Sequence, residues 1–193
     1  MGIRGVRTNK ISQDMAEPPL IVGIEDIISD AKAKGFIHDN MTDIIAIVQN
    51  ANIEIVYEEM SPAQSGYLKL INNKWVIGVN KNHHINRQRF TIAHEFAHYY
   101  LHRNATASFE DLTFFRNENT SAIEYAANDF AGKLLMPEED IRSLISAGHT
   151  NLANLAATFN VSIDAMRYRV INLGYKTVSY THLRAHETRH DLV

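Results

Sequence analysis

Residues 87–103 read RQRFTIAHEFAHYYLHR, and the fold and chemistry of the chain turn on this stretch. Its apolar residues recur at the three- and four-residue spacing of a helix, and Asn86 stands ahead of it as the expected cap. On such a helix His94 and His98 project from one face, one above the other. Two imidazoles so placed can grip one zinc ion, with Glu95 next to the first of them. A bound zinc would polarise a carbonyl and acidify water, and Glu95 would serve as the general base. The competing reading is a helix that merely carries two surface or satisfied core histidines. The small residues Ala93 and Ala97, and a strand just upstream, favour the metal.

Working outward, residues 53–59 (IEIVYEE) alternate as a half-buried strand does. GYLKLI (66–71) and KWVIGVN (74–80) flank Asn72-Asn73, a good hairpin turn because Asn tolerates positive φ. These three strands are expected to form a small antiparallel sheet packed on the active-site helix. If KWVIGVN lies at an edge, it can pair with an extended substrate backbone. Helices are expected from Ile24 to Ala33 closed by Gly35, from a cap at Asn40 or Thr42, over 120–135, and from Pro137 onward. Helices around a small sheet give an α+β architecture.

The chain has 193 residues, a formal net charge of −3 and no cysteine. Disulfides, thiolate zinc sites and cysteine nucleophiles are therefore excluded, and a metal must be held by imidazole and carboxylate. No apolar run approaches the roughly 20 residues that span a membrane, and the first residues lack the apolar block of a secretory signal. A cytoplasmic location with no membrane partner is the default expectation. Residues 1–18 read as a flexible leader, 19–148 as the main domain, 149–176 as a C-terminal subdomain and 177–193 as a tail. The tail resembles translated cloning sequence, expected to be non-native, and is set aside from the fold. A helical metal face built from His182, His186 and His190 is the alternative for it.

A catalytic zinc keeps three protein ligands and one open position. One zincin pattern places Gly three and His six residues after the second histidine; here those places hold Leu101 and Asn104, which excludes it. His102 lies too far along the helix axis to join easily. A carboxylate from the following segment is the other source. Glu124 sits in an alanine-rich helical stretch, Asn128 lies one turn on where it can hydrogen-bond a ligand imidazole, and Asp129 is its rival for that role.

RQRFTIAHEFAHYYLHR followed by IEYAANDFAGKLLMP (123–137), with GVN ahead of both, resembles the ImmA/IrrE family of zinc metallopeptidases. The resemblance covers about residues 40–175. It implies a zincin-like fold, His94, His98 and Glu124 as zinc ligands and Glu95 as catalytic base. Many members carry a second Glu two residues before the Asn; here Ala126 stands there, and the family's ligand corresponds to the earlier Glu124. The resemblance also implies a protein substrate, a helix-turn-helix transcriptional repressor often encoded nearby.

Residues 151–174 (NLANLAATFNVSIDAMRYRVINLG) read as a helix-turn-helix, with the turn at Asn160-Val161 and Ser162 as the second cap. Arg167 and Arg169 on the second helix are the candidate contacts to nucleic acid or a partner. The block is only mildly basic and lacks the dense polar side chains that read bases, so a packing or repressor-docking role is preferred to DNA binding. Two functional readings follow. One is a zinc endopeptidase acting on a repressor. The other is a non-catalytic module with a structural metal that binds DNA or a repressor through this block.

Overall fold

The computed structural model describes residues 23–102, 118–179 and 182–184; the leader expected at 1–18 lies outside them. The chain opens with α1 (Ile24–Ala33), the short strands β1 (Ile37–His38) and β2 (Met41–Thr42), and α2 (Ile44–Asn50). Gly35 at φ 74° ends α1 as expected. The cap of α2 is Asp43, whose side chain accepts from the Ala46 amide at 3.0 Å, because Asn40 and Thr42 are spent on the β1–β2 turn and strand. Three strands follow: β3 (Glu54–Glu58), β4 (Gly66–Ile71) and β5 (Lys74–Asn80).

The α+β architecture stands, but the sheet is mixed, with order β3-β5-β4. β4 and β5 form the expected antiparallel hairpin, with Asn72 and Asn73 at φ 49° and 61°. β3 instead runs parallel to β5. The reason lies in residues 59–65, which carry the chain past the place where β5 will lie, so that β4 pairs on its far side. KWVIGVN is therefore the central strand. It cannot take up a substrate strand, and the sheet edges belong to β3 and β4.

Asn80, the last residue of β5, is fully buried. Its Nδ2 donates to the carbonyls of Ser61 (3.0 Å) and Gln64 (2.8 Å), which fixes the crossing loop. Gln88 then ties the strand end to the next helix by donating to the carbonyls of Lys81 (3.0 Å) and His83 (2.9 Å). That helix is α3 (Ile85–His102). It starts one residue before the expected Asn86 cap. His84 serves instead: its Nδ1 accepts from the Asn86 amide at 3.2 Å, and its carbonyl accepts from Arg87 and Gln88. The Asn86 side chain is thereby released to donate to the Val161 carbonyl at 3.1 Å.

After α3 come α4 (Glu118–Leu135), α5 (Glu138–Ser146), α6 (Leu152–Thr158) and α7 (Ile163–Asn172). Pro137 stands just before α5, where its missing N–H costs nothing. Asn151 and Ser162 cap α6 and α7 through their side chains, and Asn160 turns at φ 51°, as the helix-turn-helix reading expects. This block is not insulated from the rest. Leu152, Leu155, Phe159, Met166 and Val170 belong to the same hydrophobic core as Ile77, Ile92, Phe96 and Phe130. Arg89 of α3 adds polar ties, donating to the Thr42 carbonyl (2.8 Å) and the Asn160 carbonyl (3.3 Å).

The part of the tail that is described, β6 (Lys176–Ser179) and β7 (His182–Arg184), forms an antiparallel pair. Periodicity alone did not suggest strands here. His182 lies in a strand and so does not share a helical face; His186 and His190 fall outside the described residues.

Arg169 overturns its expected role as a surface contact. It is only 6% exposed, and its Nε donates to the Met136 carbonyl at 3.0 Å, a carbonyl left over where Pro137 ends α4. Burial lowers its pKa, against the opposing pull of Asp129 and Glu138. Replacing it strands a buried acceptor. Arg169→Met is expected to lower unfolding stability by about 2–3 kcal/mol, read from denaturant midpoints. A loss within the roughly 0.5 kcal/mol of an ordinary surface change would contradict this structural role.

Candidate metal centre

Two helices build the site, and small residues set how closely they approach. On α3, His94 and His98 meet α4 on one side, while Phe96 and Tyr100 meet Phe130 of α4 on the other, at ring separations of 6.2 and 5.6 Å. Between those two flanks of α3 the helical periodicity places Ala93 and Ala97, both fully buried. On α4 the residues between Asn128 and Phe130 around the helix are Ala127 and Ala131, also fully buried. Four methyl groups thus line the seam, and the polar residues beside it come within bonding distance.

The result is a compact triad of His94, His98 and Glu124, whose ligand atoms all lie within 4.8 Å of one another. The His94 and His98 Nε2 atoms are 3.0 Å apart. Glu124 Oε2 lies 3.2 Å from His94 Nε2, and Oε1 lies 3.4 Å from His98 Nε2. Ligand atoms held about 2.0–2.1 Å from one tetrahedral zinc stand roughly 3.3 Å apart, close to the separation of the two imidazole nitrogens from each other and of each from one carboxylate oxygen. The donor set, two imidazoles and one carboxylate, also suits it.

The His94 tautomer follows from its other nitrogen. Nδ1 lies 3.1 Å from Asn128 Oδ1, an acceptor, so Nδ1 carries a hydrogen; Nε2 faces the triad, donating to Glu124 when protonated and offering its lone pair to a metal when it is not. Asp129, the rival for this role, is engaged by Lys133 at 2.7 Å. Phe90 stacks on His94 with ring centroids 6.4 Å apart and holds the ring from a second side.

Charge is concentrated here. Hydrogen bonds from His94 and then His98 hold the Glu124 carboxyl far below the usual carboxylate range. Burial disfavours a charged His94, but the Glu124 hydrogen bond and the charges of Glu95 and Glu124 outweigh it and raise its pKa. Burial raises the Glu95 pKa, opposed by the two histidines. Glu95 shares its side of α3 with Tyr99, four residues on. Tyr99 meets Trp75 of β5 edge-to-face at 5.6 Å, so Glu95 lies on the sheet side of the triad.

The structure thus brings together four of the sequence-derived candidates, His94, His98, Glu124 and Asn128, with Glu95 beside them. It does not bring Arg167 or Arg169 to the triad. Arg167 of α7 pairs with Asp164 at 2.9 Å. Phe90 and Asn80 were not foreseen. Phe90 lies one turn before His94, which was the available signal for it.

Among the described residues no helix is long and apolar enough to cross a membrane. Compared with known families, residues 48–170 match the peptidase M78 family, described as the IrrE N-terminal-like domain. That span contains the three-stranded sheet, both helices of the triad and, of the C-terminal block, α6, the turn and α7 as far as Val170. No protein of curated function matches the chain.

Because Asn128 orients His94, Asn128→Ala is expected to weaken divalent-metal binding about 10- to 100-fold, measured by competition with a chromogenic chelator. Undiminished affinity would mean that packing against Phe90 alone orients the ring.

Proposed function

The chain belongs to the IrrE N-terminal-like family of M78 peptidases, and on that premise we propose that it is a zinc-dependent endopeptidase acting on a helix-turn-helix transcriptional repressor. The observation that carries this reading is the convergence of His94, His98 and Glu124 beside Glu95, on helices within the matched span.

In this proposal His94, His98 and Glu124 hold one divalent ion. Three ligands are found among the described residues, and a set of three would leave a position open, as a catalytic site does and a closed structural one does not. The bound ion supplies Lewis acidity toward a peptide carbonyl and lowers the pKa of water. Glu95 does the proton work. Its carboxylate takes the proton of the attacking water and delivers it to the departing amide nitrogen. Burial raises the Glu95 pKa, which makes its carboxylate the stronger base. Asn128 is a positioning residue, acting through the His94 ring.

Zinc is proposed because the donors are nitrogen and oxygen in a compact set of three. The repressor substrate is proposed from the family resemblance, and a cytoplasmic setting accompanies it. The rival reading, a DNA-binding module, counted on two arginines of α7. Arg169 is buried on a backbone carbonyl and Arg167 is paired with Asp164, so neither supports it.

The zinc-loaded chain, mixed with the helix-turn-helix regulator encoded beside it, is expected to cut that protein. Chelation should stop the cleavage and added zinc should restore it. Glu95→Gln should retain about one zinc per chain and lose at least about 10²-fold in rate. A Glu95→Gln protein that cuts as fast as wild type would refute the assigned base.

A further inference from the structure

Between α4 and α7 lies a groove of about 360 Å³, in the size range of ligand sites. Phe90, Gly132 and Met136 line it, with Tyr125 and Tyr168 as aromatic walls and Asn128 on the side toward the triad. Three of these residues connect it to the metal centre: Phe90 stacks on His94, Asn128 bonds His94, and Tyr125 follows Glu124 in sequence.

We propose that this groove is the subsite that receives a large apolar side chain of the substrate, next to the bond presented to the triad. The proposal rests on the peptidase reading and names its side-chain specificity. Glu95 and the sheet stand on one side of the triad and the groove on the other, so a peptide crossing the triad from the sheet side reaches the groove. Tyr125 and Tyr168 are 68% and 74% exposed, an aromatic pair available to close over a side chain. The charged groups lining the groove are engaged elsewhere, Asp129 by Lys133 and Arg169 on the Met136 carbonyl. Neither charge is set to select a charged side chain. Gly132 leaves the floor open: a Cβ there would meet only the Met136 methyl, at 3.9 Å.

The test compares wild type with Gly132→Leu, which fills the groove, and Tyr168→Ala, which removes an exposed wall at little risk to folding. The probe is a defined combinatorial peptide library digested by the zinc-loaded proteins, with cut-flanking residues identified by mass spectrometry. In parallel, labelled decapeptides that differ only by Phe or Ala at one position are titrated onto Glu95→Gln protein. Wild type is expected to favour a large apolar residue over Ala at one flanking position by about 10-fold or more. Gly132→Leu should bring that ratio to within about 2-fold and Tyr168→Ala should weaken it. A preference unchanged in both variants would overturn the groove and leave the peptidase reading intact. Groove-dependent binding of the Phe peptide with no cleavage by wild type would keep the groove and overturn the peptidase reading. Peptide binding that appears only after removal of residues 177–193, or self-association abolished by Gly132→Leu, would make the tail or a second copy the occupant and overturn the proposal.

Discussion

The close approach of α3 and α4 is the constraint on which the rest depends. Ala93, Ala97, Ala127 and Ala131 all lie fully buried along this seam. A larger side chain at any of them forces overpacking, at about 1–3 kcal/mol, or moves the helices apart. The second outcome matters more for chemistry. Glu124 reaches both histidines at 3.2 and 3.4 Å, and Asn128 reaches His94 at 3.1 Å. An added separation of one ångström would break every one of these contacts, since hydrogen bonds weaken steeply beyond their normal range. The flanking aromatics Phe96, Tyr100 and Phe130 close the far side of the seam and prevent the helices from rolling.

A second layer of polar ties fixes where α3 begins. Asn80 locks the loop that crosses the sheet, Gln88 joins that strand end to the helix, and Asn86 and Arg89 bind the turn between α6 and α7. Each tie satisfies a carbonyl that lies outside regular secondary structure, and those of Ser61 and Val161 are reached by part-buried bonds. Sheet, metal helix and C-terminal block are thus referred to one helix. A site built on rigid elements holds its geometry better than one built on loops.

Much of this was legible in the sequence because it depends on local periodicity. His94 and His98 lie four apart on a long amphipathic stretch, and Glu124 and Asn128 repeat that spacing on the next helix, so the shared faces follow from 3.6 residues per turn. The Asn72-Asn73 turn and the Ser162 cap are equally local. What stayed hidden depends on long-range pairing. Strand alternation says nothing about neighbour order, so the central position of KWVIGVN and the parallel β3 could not be read from it. Arg169 looks like any helical cation in sequence. Its burial follows from an orphan carbonyl at Met136, thirty-three residues away. The start of α3 was misplaced by one residue because a histidine, His84, takes the capping role that Asn86 would ordinarily fill.

The C-terminal block shows why a motif's shape does not settle its use. Its helices, turn and caps match a helix-turn-helix, yet both arginines expected to make contacts have partners within the chain. The turn is bound down onto α3, Arg169 is turned inward, and Arg167 faces Asp164 on its own helix. DNA affinity comes largely from cations free to neutralise phosphates, and α7 commits both of its arginines elsewhere. What α7 presents outward is Tyr168 at 74% exposure and Ile171 at 50%. Leaving such groups in water forgoes about 1.5–3 kcal/mol per side chain that burial would bring. An aromatic wall beside the metal centre gives that exposure a use. The second helix of the motif lines the groove that it forms with α4, and its placement reflects packing against that helix and the start of α3.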